Sequence, residues 1–193
     1  MFIMSFPIKY DSVLPLSLFT LVHEEIASID TEYTYDNGSQ TALEKKFLGQ
    51  SHRWDRLVYY QAATSILLKV KRFLRENIRL LRIHSGAKYF GSEPGFHIDF
   101  EEDYCFTFVL FTNSAWDTEW GGEFVVQNPI TREYNYVPYI PNNGVLIPSN
   151  WQHTGTPPVS SKAGLRTSVA FVYCVRSKYE ELLSRQPIYK LYS

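Results

Sequence analysis

The sequence lacks the features that mark several classes of protein. It has only 2 cysteines in 193 residues, too few for the disulfide framework of a small secreted domain. No apolar run reaches the roughly 18–20 residues that a membrane-spanning helix needs. Lys and Arg number 19 against 20 Asp and Glu, so the net charge of -1 gives no basic excess for wrapping nucleic acid. Partners of these kinds, membrane and nucleic acid, are therefore not expected.

The first seven residues are apolar, but they lack the basic residues and the small-residue cleavage site of a secretory signal. By default we therefore expect a cytoplasmic protein. In that compartment thiols stay reduced, and we expect Cys105 and Cys174 to be two buried free thiols.

What the sequence does have is enough apolar material for a sizeable core. Hydrophobic residues make up 45%, aromatic residues 16% and charged residues 20%, a composition typical of a folded domain. The length predicts a single domain over 1–193. The pattern changes once, so we predict helical support over about 1–78 and a β core over about 79–176.

Before residue 77 the apolar residues recur every three or four positions, which is typical of helices. This spacing predicts helices over 14–29 and about 55–77. After the β region, we predict a third, short helix over 177–184. Between the first two, residues 31–38 are polar and end in Asn37-Gly38, which predicts a turn or a hairpin.

After residue 77 the pattern predicts short strands separated by Gly and Pro turns. The predicted strands are 79–84, 96–100, 104–112, 123–127, 133–138, 144–148 and 165–175. Many short strands of this kind favour a β-sandwich or barrel. We therefore predict a mainly β core with the helices packed outside it.

Three side chains in this β region form a set that could bind a metal. His97 and Asp99 are two residues apart in a predicted strand, so both point to one face. His153 follows the strand 144–148 and can reach the same interior in a closed antiparallel fold. Two imidazoles and one carboxylate are the donors of the non-haem Fe(II) oxygenases, which leave metal positions open for other ligands.

Arg166 stands at the start of the last predicted strand. A guanidinium inside an apolar barrel is costly unless it meets an anion. The carboxylate of a ligand, bound by two N–H groups at once, is one candidate anion. An Asp or Glu of the protein itself is the alternative.

Five segments carry a resemblance to a known family in both order and spacing. They are GFHID at 95–99, FTNSAW at 111–116, EWGGEF at 119–124, PSNWQH at 148–153 and RTS at 166–168. Together they make residues 79–175 resemble the Fe(II)- and 2-oxoglutarate-dependent oxygenases, specifically the prolyl 4-hydroxylase-like branch.

The resemblance implies a double-stranded β-helix, the jelly-roll or cupin-like fold. It implies that His97, Asp99 and His153 are the catalytic metal ligands and that Arg166 binds the distal carboxylate of 2-oxoglutarate. The implied cofactors are Fe(II), 2-oxoglutarate and O2, with ascorbate as a further candidate. The implied activity is hydroxylation of an unactivated C–H bond, with conversion of 2-oxoglutarate to succinate and carbon dioxide.

Other positions near the co-substrate are predicted with alternatives open. Phe111 stands where some prolyl hydroxylases carry a tyrosine, and Tyr89 is a candidate replacement for that tyrosine. Thr107 and Ser168 are candidate hydroxyl partners of the co-substrate carboxylate. For Tyr89 a structural role is an equal alternative.

The implied substrate is a prolyl residue in a peptide or protein, and a free amino acid or another small metabolite is the alternative. Trp151, Arg82 and His84 are candidate substrate-contacting residues, each with a structural role as its alternative. Tyrosines at 134, 136 and 139 could shape an aromatic cleft or could pack on each other.

Two residues narrow the reaction within the family. Asp99 fills the position that chloride takes in the related halogenating enzymes, so hydroxylation is favoured. Val172 stands where alkylated-nucleobase demethylases carry a second arginine, which disfavours nucleic-acid repair. Two other hypotheses stay open, a non-catalytic jelly-roll module that binds a ligand and a cupin-like oxygenase that does not use 2-oxoglutarate.

Overall fold

The computed structural model describes residues 6–27, 34–35, 43–44 and 57–185. Within them the helices are α1 Leu16–Ala27, α2 Leu57–Leu74 and α3 Arg176–Arg185. The strands are β1 Ile8–Tyr10, β2 Thr34–Tyr35, β3 Leu43–Glu44, β4 Ile78–Lys88, β5 Cys105–Phe111, β6 Phe124–Gln127, β7 Tyr134–Val137, β8 Gly144–Pro148, β9 His153–Gly155 and β10 Arg166–Val175. None of the described helices is long and apolar enough to cross a membrane.

The strands form two main antiparallel sheets. The major sheet has the order β1-β8-β5-β10-β4, the minor sheet has the order β7-β6-β9, and β2 pairs with β3 alone. Val109 and Phe111 of the major sheet share one apolar cluster with Phe124 and Val126 of the minor sheet. The two sheets therefore face each other, as they do in a jelly roll.

The other face of the major sheet packs on the helices. Helix α2 buries residues at three- and four-residue spacing, namely Tyr59, Ala62, Ala63, Ile66, Val70 and Leu74, which is the stripe of an amphipathic helix. Phe108, Leu110 and Phe171 of the sheet belong to the same cluster as these helical residues. Because neighbours along a strand point to opposite faces, Thr107 and Val109 then point towards the minor sheet.

One predicted strand is wrong. Residues 96–100 form no strand, and in that segment only His97 pairs, through an isolated bridge with His153. The backbone N–H groups of Asp99 and Phe100 instead both donate to the carbonyl of Ser149. The segment is therefore a loop fastened to the end of β8.

The remaining predicted elements are found, most of them with shifted ends. β4 runs four residues beyond its predicted end, and β8 has its predicted bounds. α1 begins two residues later than predicted, and residues 28–29 and 55–56, at the predicted end of α1 and start of α2, lie outside the described parts. β1 and β9 were not predicted, because three residues are too few for a pattern to emerge. The pairing of β2 with β3 fits the hairpin interpretation, although Asn37-Gly38 lies outside the described residues.

Cys105 and Cys174 are free and buried, as predicted. Although far apart in sequence, they are direct cross-strand partners of β5 and β10. The hydrogen bond with the Cys174 thiol, together with burial, raises the pKa of the Cys105 thiol. The same hydrogen bond lowers the pKa of the Cys174 thiol. The Cys105 thiol is therefore protonated and weakly nucleophilic at neutral pH.

Candidate metal and co-substrate site

His97, Asp99 and His153 come together where the loop before β5 meets β9. Their ligand atoms all lie within 4.8 Å of one another. Nε2 of His153 is 3.5 Å from Oδ2 of Asp99, and Nε2 of His97 is 3.9 Å from Oδ1. His97 and His153 are fixed together because each backbone N–H donates to the other's carbonyl, at 3.0 and 2.9 Å.

The two imidazoles are held with the same nitrogen free. Nδ1 of His97 lies 3.1 Å from the Gly95 carbonyl, and Nδ1 of His153 lies 2.7 Å from the Trp151 carbonyl. A carbonyl can only accept, so each Nδ1 carries the proton and donates it. The unprotonated Nε2 atoms then face Asp99, which is the arrangement that metal-binding histidines use.

Asp99 is kept ionised although its side chain is only 4% exposed. Burial alone would raise the pKa of its carboxyl, but contacts with His153, Arg82 and Thr107 outweigh burial and hold the pKa well below its usual value. Arg82 Nη2 lies 3.0 Å from Oδ1, and the Thr107 hydroxyl donates to Oδ2 over 2.6 Å. Asp99 therefore offers a metal a permanently charged oxygen donor.

Burial, with the neighbouring His153, lowers the pKa of His97. A neutral imidazole is the form that binds a metal, so no proton has to leave before coordination. Two neutral nitrogens and one anionic oxygen on one side fit an Fe(II) that keeps positions open for other ligands. The residues present therefore suit the metal that the sequence predicts.

Arg166, at the start of β10, is 2% exposed. Its Nε donates to the Gly122 carbonyl over 2.6 Å, whereas its buried Nη2 has no hydrogen-bond partner. Burial lowers the pKa of Arg166 to about 10, so the guanidinium still carries its charge at neutral pH. A buried cation with a free N–H group needs an anionic acceptor, and the distal carboxylate of 2-oxoglutarate fits that need.

The alternative partner for Arg166, a carboxylate of the protein, is not found. In the described part of the chain no Asp or Glu forms an ion pair with Arg166. Glu123 is near enough to raise the pKa of the guanidinium, but one of its carboxylate oxygens accepts from the Thr156 hydroxyl over 3.1 Å.

Two glycines make room for Arg166. A Cβ at Gly155 would lie 2.6 Å from Nη1 of Arg166, so any side chain there would displace the guanidinium. Gly122 has a φ of +83° and directs its carbonyl to Nε, while a Cβ there would approach Trp116 and Arg166. Gly121 and Gly122 both have positive φ, and the turn that they form also shapes the arginine site.

Tyr139, which the sequence offered for an aromatic cleft, has a different position in the structure. Its buried ring lies beneath the guanidinium, with its centroid 4.7 Å from Cζ of Arg166, and it stacks on Phe111. Its hydroxyl accepts from the N–H groups of Thr112 and Asn113 and donates to the Thr167 carbonyl. Tyr139 therefore supports Arg166 from below and does not line an open cleft.

The predicted co-substrate residues lie on the inward face of the major sheet, for Thr107 and Ser168, and just after β4, for Tyr89. Thr107 donates to Asp99 and lies 2.9 Å from Ser149, so its observed contacts are in the metal cluster. Ser168 is the cross-strand partner of Gly86 and Phe111, on the strand face that carries Arg166. Tyr89 follows β4, where its carbonyl accepts from Ser92. A role of each towards 2-oxoglutarate stays a prediction.

Among the predicted substrate residues, Arg82 contacts Asp99 directly. His84, the next inward-facing residue of β4, is close enough to contribute to the lowered pKa of His97. Trp151 is half-buried, with its ring 6.0 Å from that of Phe6, and its carbonyl orients His153. All three lie by the metal cluster, and contact with a substrate stays a prediction.

Comparison with known proteins gives the same interpretation of this geometry. Residues 84–173 match the family model described as "2OG-Fe(II) oxygenase superfamily", and this match spans the metal cluster and Arg166. No curated protein matches the chain.

Solved structures share the fold at low sequence identity. A prolyl-4-hydroxylase from Pseudomonas putida has a TM-score of 0.61 and 18% identity, with 88% of this chain and 85% of that one covered. A prolyl hydroxylase from Trichoplax adhaerens in complex with a peptide fragment has a TM-score of 0.66 and 14% identity, over 91% and 86%. HygX from Streptomyces hygroscopicus, with nickel and 2-oxoglutarate bound, has a TM-score of 0.64 and 14% identity, over 88% and 83%. These likenesses confirm the predicted jelly-roll fold.

Proposed function

Since the chain is a member of the 2OG-Fe(II) oxygenase superfamily through residues 84–173, we propose that it is a dioxygenase that hydroxylates an unactivated C–H bond. One observation carries the proposal. A His-Asp-His cluster with converging donor atoms lies at the start of β9, and Gly155, two residues after His153, lies against the guanidinium of a buried arginine whose Nη2 has no partner. A non-catalytic binding module has no need for this combination.

Each residue has a definite task in the proposed reaction. His97 and His153 would hold Fe(II) through Nε2, and Asp99 would complete the set through one carboxylate oxygen. Arg166 would bind the distal carboxylate of 2-oxoglutarate through Nη2 and so orient the co-substrate. Fe(II), 2-oxoglutarate and O2 supply the oxidising power when bound. Overall, 2-oxoglutarate and O2 become succinate and carbon dioxide, and the second oxygen atom enters the substrate as a hydroxyl group.

A prolyl residue in a peptide or protein is the substrate that we propose first. The His97 side chain is 52% exposed, so the metal position lies at an open mouth that a bulky substrate can approach. Beside it in the chain, the Phe96 ring meets that of Tyr134 edge to face at 5.7 Å, and both rings are exposed. Exposed aromatic rings of this kind suit the ring of a proline. Two of the structural relatives are prolyl hydroxylases.

A small metabolite is the second candidate. HygX has been solved with hygromycin B bound, and its structure is as similar to this chain as those of the prolyl hydroxylases. The jelly-roll core is therefore compatible with substrates of very different size.

The proposal is tested by following both products of the reaction. The enzyme is supplied with Fe(II), 2-oxoglutarate and ascorbate, together with either proline-containing peptides or a set of amino acids and metabolites. We expect succinate to form and one substrate class to gain a single oxygen atom by mass spectrometry. His153→Ala should abolish both signals, whereas His23→Ala, which changes a half-buried histidine bonded to the Thr112 carbonyl, should retain them. Succinate formation that survives His153→Ala would refute the proposed site.

Ligand binding gives a test that needs no substrate. Because a ligand that binds only the folded state stabilises it, Mn(II) with 2-oxoglutarate at about 100 times its Kd should add about 2.7 kcal/mol to the free energy of unfolding. The measurement is the Tm with and without the two ligands. An unchanged Tm at saturation would favour the non-catalytic binding module, and a shift with Mn(II) that 2-oxoglutarate does not increase would favour an oxygenase that does not use 2-oxoglutarate.

A further inference from the structure

Arg82 and Thr107, on different strands, each donate a hydrogen bond to one carboxylate oxygen of Asp99. Arg82 of β4 and Thr107 of β5 are both cross-strand partners of Val172 in β10, so the three side chains form one row across the sheet. Asp99 lies over this row, with Oδ1 3.0 Å from Arg82 Nη2 and Oδ2 2.6 Å from the Thr107 hydroxyl. Each carboxylate oxygen thus has one donor and keeps a lone pair.

We infer that Arg82 is a positioning residue, which fixes the plane of the Asp99 carboxylate for metal binding. A carboxylate held at one oxygen can still rotate about its Cβ–Cγ bond, and a donor on each oxygen stops this rotation. Since Asp99 lies in a loop without strand pairing of its own, side-chain contacts have to supply this order. The inference rests on the proposed function, because it assumes that Asp99 is a metal ligand.

The surroundings of Arg82 keep it in this geometry. Its guanidinium also lies over the ring of Phe100, with Cζ 5.1 Å from the ring centroid. Phe100 directly follows Asp99 and is buried, so Arg82 contacts two successive residues of the ligand loop. The Arg82 side chain is itself 33% exposed, but its Nε is buried without a hydrogen-bond partner, so the guanidinium is held mainly through the contact of Nη2 with Asp99.

A simple electrostatic role for Arg82 makes the opposite prediction. A cation that only sits near the metal would repel a divalent ion, so its removal would tighten metal binding. A positioning residue, when removed, leaves the carboxylate free to rotate, and metal binding weakens. The sign of the change in affinity therefore separates the two roles.

The test is a titration of the full chain with Co(II) under anaerobic conditions, followed by calorimetry and by the visible absorption of the bound ion. We expect Arg82→Met to weaken Co(II) binding by about 10- to 100-fold, which is typical for loss of a residue that orients a ligand. The bands of bound Co(II) should also shift, because a freed carboxylate changes the ligand field. Arg82→Gln retains one N–H donor and should recover part of the affinity.

Arg79→Met is the matched control, since Arg79 lies on the same strand but pairs with Glu180 at the surface. It should bind Co(II) like the wild type. Binding by Arg82→Met that is as tight as in the wild type, or tighter, overturns the inference while leaving the proposed function intact. If Arg82→Met does not fold, Arg82→Leu decides, because it likewise lacks a donor and a wild-type affinity and spectrum in it would overturn the inference equally. Failure of the wild type to bind Co(II), or undiminished binding by His153→Ala, instead defeats the proposed function and the inference together.

Discussion

The two faces of the major sheet differ sharply, although the same strands build both. Towards the helices β5 and β10 present mainly apolar buried side chains, such as Phe108, Leu110 and Phe171, which belong to one apolar cluster. Towards the minor sheet the same strands present Thr107, with its hydrogen bond to Asp99, and Arg166, with its unpaired Nη2.

Within a single strand, the side chains that stabilise the fold therefore differ from the side chains that serve the proposed reaction. The helix-facing side chains mostly bury apolar surface, so they contribute stability. The inward-facing side chains include a buried cation and a buried carboxylate, which cost desolvation energy and are retained for what they bind. Changes on the inward face should therefore affect activity, and changes on the helix face should affect unfolding.

The largest expected effect is the loss of activity in His153→Ala, on the inward face. Without one Nε2 donor the metal set is incomplete, so we expect hydroxylation and succinate formation to fall to background. Circular dichroism should show the same β-rich spectrum, because one imidazole at the end of β9 contributes little core area. A strong loss of folded protein in this variant would contradict the expectation that changes at the site affect activity and leave folding intact.

On the helix face, Phe171→Ala should give the largest loss of stability. Phe171 is 0% exposed, and truncating a buried phenylalanine lowers the free energy of unfolding by about 3–5 kcal/mol. Urea unfolding measures this change. Below the transition, the affinity for Co(II) should stay close to that of the wild type, and a large loss of affinity would show that the two faces are not independent.

Arg166→Ala tests the inward face of β10, the strand whose helix face carries Phe171. A hydrogen bond to a charged group contributes about 1.5–3 kcal/mol, so the KM for 2-oxoglutarate should rise on the order of 100-fold. Stability in the absence of ligand should change little, since the variant also removes a buried charge with an unpaired N–H group. Arg166→Lys tests geometry, because it keeps the charge but not the planar fork. A KM that is unchanged in both variants would rule out Arg166 as the binding residue.

The smallest expected effect is that of Tyr139→Phe, at the boundary between the two roles. Loss of the hydroxyl leaves the Asn113 N–H without its acceptor, whereas the Thr112 N–H keeps a second acceptor in the Thr167 carbonyl at 3.2 Å. The loss should cost about 1–3 kcal/mol. The ring beneath Arg166 remains, so the KM for 2-oxoglutarate should stay within a few-fold of the wild-type value. Thermal unfolding and steady-state kinetics together separate these effects.

The metal set could be predicted from the sequence even though the strand that was meant to carry it does not exist. His97 and Asp99 converge because His97 pairs with His153 and the Asp99 N–H donates to Ser149. The spacing of a short motif survives such a change of local structure, since two residues of extended loop also place alternate side chains on one side. The helices and most strands were predictable for a similar reason, because their apolar periodicity is long.

Contacts that depend on register could not be predicted. The alternation in β5 shows that Thr107 points inward, but only its alignment with β10 and β4 brings it to Asp99. The same alignment makes Cys105 and Cys174 neighbours across 69 positions of sequence. Tyr139 lies in a connection after β7, where no periodicity indicates its direction. A single sequence carries no information on these alignments, and the structure supplies it.

The N-terminal strand has a practical consequence for work at the bench. β1 pairs with β8 through Ile8 and Leu146, and the ring of Phe6 rests on Trp151, whose carbonyl fixes the imidazole of His153. A truncated protein that begins after Tyr10 would expose β8 as the edge strand of the major sheet. It would also remove the ring that packs on Trp151 next to that imidazole. Affinity tags are therefore better placed at the C-terminus. Truncated variants that lack activity should be assayed for iron content, because loss of metal binding would account for the inactivity.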